Sequence, residues 1–152
     1  MRLMNKQFFG KLNMKNKIPL QLQNENFRLI KLLPKSKVPF ESDWQISKNY
    51  IWNDKIFQDY INTNKENNWG IIGGFGNLRI IDCDKPEFAE IISQKLNTFT
   101  VQTGSGGKHF YIISDYNTNH VFIKEYGELR ANKYQVVGPG SIHPNGQECK
   151  II

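Results

Sequence analysis

The run Leu78-Arg79-Ile80-Ile81-Asp82-Cys83-Asp84 decides how the chain is read. It is an apolar stretch that ends in two aspartates two residues apart. A strand repeats every second residue, so Asp82 and Asp84 point to one face, roughly 7 Å apart along it. Two carboxylates on one face at the end of a buried strand repel each other, and a divalent cation between them is the usual remedy. Cys83 lies between them and faces the other side, as a small core residue.

Working outward, Trp69-Gly70-Ile71-Ile72-Gly73 predicts a strand that forms a hairpin with Leu78–Cys83 around Gly74-Phe75-Gly76-Asn77. Downstream, Asp84 or Lys85 caps a helix with Pro86 at its favoured first position, and Phe88, Ile91, Ile92 and Leu96 form its apolar stripe. Strands are predicted over residues 98–103, 108–114, 121–123 and 134–137. Asn145-Gly146 makes a hairpin turn before a last strand over 148–152. Upstream, residues 27–33 read as a strand or short buried segment ending at Pro34. A basic, proline-bounded loop follows, and the spacing of Ile51, Trp52, Ile56, Phe57, Tyr60 and Ile61 predicts an amphipathic helix within 50–62. Residues 1–26, rich in Asn, Lys and Gln, read as an N-terminal tail or leader, which leaves 27–152 as a single domain. The sum is α+β: a mostly antiparallel sheet with two helices.

The bulk numbers fit this picture. The 152 residues suffice for one domain with a sizeable core. A net charge of +6 favours a polyanionic partner, either nucleic acid or phosphate-bearing small molecules. The two cysteines, Cys83 and Cys149, form no Cys-x-x-Cys pair, which excludes a zinc ribbon built from cysteines alone and fits a reduced, cytoplasmic protein. A zinc site from His109, His143 and a cysteine matches no common spacing. There is no run of about 20 apolar residues to span a membrane.

Four further elements carry chemistry. In Thr103-Gly104-Ser105-Gly106-Gly107-Lys108-His109, Ser105, Gly106 and Gly107 offer a hydroxyl and backbone N–H groups to a phosphate, Lys108 adds charge and His109 a donor. A strand rather than a helix follows, so this is not a P-loop; a flexible glycine hairpin is the plain alternative. Glu128, on another strand, would complete a three-acid metal site with Asp82 and Asp84, and Arg130 shares its face within reach of a phosphate. Pro139-Gly140-Ser141-Ile142-His143-Pro144 is built to bring backbone close to a ligand through Ser141 and His143, or else is a tight turn. Lys35 and Lys37, in the basic loop, suit a nucleic-acid backbone. His120 has no such context.

The ordered set (Asp-x-Asp, Ser-Gly-Gly-x-His, an acid, then Pro-x-Ser-x-His-Pro-x-Gly) resembles the primase–polymerase, or Prim-Pol, branch of the archaeo-eukaryotic primase superfamily. The resemblance runs from about Lys31 to Gly146 and includes Lys37-Val38-Pro39 with Trp44, and Asn68-Trp69-Gly70-Ile71. It implies an RRM-like catalytic sheet packed with a small N-terminal α/β unit. It implies that Asp82 and Asp84 bind metal, and that His109 binds the incoming triphosphate with Ser105 and Gly107. Glu128 stands where the family's third motif usually has aspartate. The final loop usually reads Pro-Pro-Ser and here reads Pro139-Gly140-Ser141.

The implied activity is nucleotidyl transfer on a nucleic-acid template and primer, with Mg²⁺ or Mn²⁺ and nucleoside triphosphates. Many relatives carry a zinc-binding stem and a helical domain, so primer extension is expected more readily than unaided priming unless a helicase or helical accessory domain on another chain assists. The rival reading is a non-catalytic module that binds nucleotide or single-stranded nucleic acid. A metal-dependent nuclease would not need the Ser-Gly-Gly-x-His element, and no His-hydrophobic-His pair marks a nicking enzyme.

Overall fold

The computed structural model describes residues 1–6 and 16–152. Residues 7–15 of the segment read as a leader lie outside the described residues. Within that segment, β1 (Arg2–Leu3) pairs with a central strand, and Ile18 and Leu22 are fully buried in the main core.

Among the described residues, two antiparallel sheets and two α-helices make the fold. The smaller sheet has the order β2 (Leu29–Leu32), β3 (Asn68–Gly73), β9 (Tyr134–Val137). The helix α1 (Lys55–Thr63) packs beside it. This helix is shorter than the predicted one. Asp54 accepts a hydrogen bond from the Phe57 N–H and caps it, a contact worth about 1 kcal/mol. Tyr50 instead stays extended and bridges Leu29. Phe57 and Ile61 are fully buried, each contributing roughly 1.5–3 kcal/mol by leaving water.

The larger sheet runs β10 (Lys150–Ile151), β5 (Thr100–Gln102), β6 (Lys108–Ile113), β4 (Leu78–Cys83), β8 (Gly127–Arg130), β7 (His120–Ile123), with β1 also on β6. The helix α2 (Pro86–Lys95) covers one face of it. Lys85 stands at the N-cap with no side-chain cap, and Pro86 opens the helix. Ile81, Cys83, Phe110 and Ile112 pack on that side with Ala89 and Phe88. The opposite face sends Leu78, Ile80, Val101 and Tyr111 into the main core, where they meet Leu29, Ile71 and Val136 of the smaller sheet.

The predicted β3–β4 hairpin does not form. All six residues of β3 are buried, and β2 and β9 occupy both of its edges, so no edge is left for β4. The chain crosses to the other sheet instead, through Gly74 at φ 120° and a single 3-10 turn over Phe75–Asn77. The Asn145-Gly146 turn is present, with Ile142 bridging Glu148 across it.

Candidate active site

The alternation of β4 puts Cys83 under α2 and Asp82 on the other face, in line with Leu78 and Ile80. Asp82 is largely buried, with its side chain 13% exposed. Strand register then builds a row: Asp82 is directly opposite His109 of β6 on one side and Glu128 of β8 on the other. Residues so paired share a face, with Cβ atoms about 4.5–5.5 Å apart. Arg130 is two residues beyond Glu128 on that face.

Electrostatics decide how the row is held. Two carboxylates about 5 Å apart repel by about 3 kcal/mol at an effective dielectric constant near 20. The repulsion is met by nitrogen donors: a terminal nitrogen of the Arg130 guanidinium lies 3.1 Å from Glu128 Oε1 and 3.4 Å from Asp82 Oδ2, and His109 Nε2 lies 3.3 Å from Asp82 Oδ1. Burial alone would raise the Asp82 carboxyl, but His109 and then Arg130 outweigh it and hold it below its ordinary value. Asp84 goes the other way. Burial, then repulsion from Asp82 and Glu128, pushes its carboxyl up. Burial and the two flanking aspartates push the Cys83 thiol up to about 12, so Cys83 is a packing residue and not a nucleophile.

The glycine loop joins β5 to β6 as a tight turn, with Thr103 N–H donating to Gly107 O and Gly106 N–H to Thr103 O. A Cβ at Gly107 would overlap the Cys83 carbonyl, so only glycine lets the loop rest on the end of the acidic strand. Ser105 is exposed, and its hydroxyl lies 3.1 Å from that of Thr103. The half-buried Lys108 extends to Ser93 on α2, at 3.5 Å. His143 packs against Gly104, and Asn145 Nδ2 donates to Gly104 O, so the 138–147 turn lies on the glycine loop.

Ser141 is almost fully buried, and its hydroxyl bonds the backbone of Trp69. Lys35 pairs with Glu66 at the surface (3.6 Å), and Lys37 is exposed. Their loop reaches the same region through Asn68. The amide of this buried residue donates to Ser36 O and Ile142 O and accepts from Ile142 N–H.

Asn68 was legible only as part of Asn68-Trp69-Gly70-Ile71, and nothing in the sequence marks it as a clamp between two loops. Two further residues had no sequence signal. Tyr134 places its ring 5.1 Å from the Arg130 guanidinium carbon, and Gln135 donates to Lys37 O.

A family model for the N-terminal region of bifunctional DNA primase/polymerases matches residues 20–152. The chain belongs to the Prim-Pol family. No curated protein matches it. Enzymes of the Prim-Pol family are generally DNA primases or polymerases and generally use divalent metals.

Among the described residues of this Prim-Pol domain, no three of His, Cys, Asp and Glu are gathered at metal-holding spacing. The donors are nevertheless of the right kind, since carboxylate oxygens suit Mg²⁺ and Mn²⁺. Two buried nitrogens beside them, His109 Nδ1 and Arg130 Nε, have no hydrogen-bond partner. The oxygens of Asp82 and Glu128 are the donors such an ion would use, and Arg130 now lies within 3.4 Å of one oxygen of each. No helix among the described residues is long and apolar enough to cross a membrane.

Proposed function

We propose that this chain is a metal-dependent nucleotidyltransferase with DNA primase or DNA polymerase activity. It would extend nucleic acid on a template with nucleoside triphosphates during replication or repair, in the cytoplasm and in association with DNA. The observation that carries the reading is the cross-strand row His109–Asp82–Glu128, with the glycine loop resting against the end of the strand that carries Asp82.

Asp82, Asp84 and Glu128 would hold Mg²⁺ or Mn²⁺. Such ions supply charge neutralisation at the reacting phosphate and activation of the attacking hydroxyl. Asp82, whose carboxyl is held below its ordinary value by His109 and Arg130, would be the anchor of that set. His109, next to the glycine turn in the chain, leaves its Nδ1 unpaired, and Ser105, Gly106 and Gly107 of that turn would hold the triphosphate, with Lys108, which now reaches Ser93 of α2, adding charge. Ser141 and His143 would act by shaping the turn that lies on this loop. Lys35 and Lys37 would hold the template backbone, which makes binding salt-dependent. A helicase or helical accessory domain on another chain would supply any help needed to start a strand.

One observation favours the non-catalytic alternative, a nucleotide or single-strand binding module: Arg130 neutralises the acids, and no three ligands stand gathered. A primed DNA template with labelled nucleotides and Mn²⁺ or Mg²⁺ separates the two. Extension that vanishes in Asp82→Ala/Asp84→Ala supports the polymerase. Binding without extension under either metal supports the module.

A further inference from the structure

Arg130 holds two carboxylates with one cation, since the same terminal nitrogen serves Asp82 Oδ2 and Glu128 Oε1. These acids are directly opposed across β4 and β8, so the guanidinium sits over the gap between them. Its Nε is buried and makes no hydrogen bond, so one of its donors is unspent. Its other flank faces the ring of Tyr134, which is 47% exposed. A divalent ion on this pair needs the oxygens that Arg130 now holds, and both cations cannot use them at once.

We infer that Arg130 is an internal counter-cation that bars the carboxylate pair to metal until a nucleoside triphosphate supplies the guanidinium with other oxygens. This rests on the metal-dependent reading above. The planar guanidinium suits the exchange, because it binds phosphate oxygens in the forked geometry it offers carboxylates. The Tyr134 ring gives it a surface to slide along without losing favourable contact. Metal and nucleotide then bind with positive coupling, and each strengthens the other by the same factor.

The test measures Mn²⁺ binding to the full chain without nucleotide, by the electron-spin signal of the free ion. Binding of a fluorescent, non-cleavable triphosphate analogue at saturating Mn²⁺ is measured alongside. Arg130→Gln is expected to bind Mn²⁺ roughly tenfold more tightly than wild type, within the ordinary range of coupling between sites, and the analogue more weakly. Circular dichroism and an unchanged urea midpoint establish that the variant is folded, so that a gain in metal affinity does not come from side chains exposed by unfolding. If Arg130→Gln does not fold, Arg130→Lys reads the same quantity, because a single ammonium reaches the pair less well and Mn²⁺ affinity should rise several-fold. Unchanged or weaker Mn²⁺ binding in the folded variant overturns the inference. Asp82→Asn separates this failure from a failure of the metal reading. If Asp82→Asn abolishes Mn²⁺ binding while the Arg130 variant leaves it unchanged, only the counter-cation role falls. If Asp82→Asn binds Mn²⁺ as wild type does, or no form binds it, both fall.

Discussion

The Ser141 hydroxyl spends both of its hydrogen-bonding functions on the backbone of Trp69. It accepts from the Trp69 N–H at 3.3 Å and donates to the Trp69 carbonyl at 3.2 Å. Because Trp69 lies in the smaller sheet and Ser141 opens the turn that rests on the glycine loop, this pair ties the loop cluster to the core. Ser141→Ala leaves the buried Trp69 N–H unpaired, while the Trp69 carbonyl keeps the Gly138 N–H, and is expected to cost about 1–3 kcal/mol of stability, measured by urea denaturation. A weaker triphosphate KM with unchanged stability would instead assign the hydroxyl to the nucleotide.

Glu128 is the acid opposite Asp82 in register. If it holds metal, Glu128→Gln removes charge stabilisation worth several kcal/mol, and primer extension falls by roughly 10²- to 10³-fold. Glu128→Asp, which restores the carboxylate on a shorter stem, should recover part of that loss. Equal activity in wild type and Glu128→Gln would remove Glu128 from the site.

Acid stability should report on Asp82. Its carboxyl is held below the ordinary 3.8, because His109 and Arg130 outweigh the effect of burial. The stability this contributes is full above the ordinary value and is lost as pH falls through the lower, folded-state value. The stability gap between wild type and Asp82→Asn should therefore be constant near neutrality and close only below about pH 4. A gap that closes between pH 5 and 7 would show that Asp82 is not the stabilised carboxylate described here.

Lys35 and Lys37 leave a simpler signature. Each phosphate contact contributes close to one unit to the slope of log affinity against log salt for DNA binding. The double change Lys35→Ala/Lys37→Ala is expected to lower that slope by about 1–2, with little effect on stability because Lys37 is exposed and the Lys35–Glu66 pair lies at the surface. An unchanged slope would place the template elsewhere.

Much of the site could be read along the chain because its rules are local. Period-two alternation put Asp82 and Cys83 on opposite faces of one strand, as the structure has them. Proline at the first helical position and the Asn145-Gly146 turn likewise depend on a few neighbouring residues. The β3–β4 hairpin failed because a short connection between two apolar strands does not say which edges are already taken. Here β2 and β9, from residues 29–32 and 134–137, claim both edges of β3. The helix within 50–62 began late because Asp54 could cap it and Tyr50 was drawn into a bridge with Leu29, a partner more than twenty residues away.

By itself, then, the sequence determined the residue types and the opposite faces of Asp82 and Cys83: an acid at the end of an apolar strand, a glycine turn entering the next strand, and an α+β pattern around them, while Asp84 falls just beyond β4. Only the tertiary structure decided which of these groups meet. Asp82 gains its neighbours because β6 and β8 flank β4 in a particular register. Ser141 turns inward because Trp69 is behind it, and Asn68 clamps two loops that lie 32 and 74 residues away in the chain. The physical reason is that backbone geometry is set by short-range sterics, whereas the pairing of charges and hydroxyls depends on which buried partners arrive when the two sheets close over a common core.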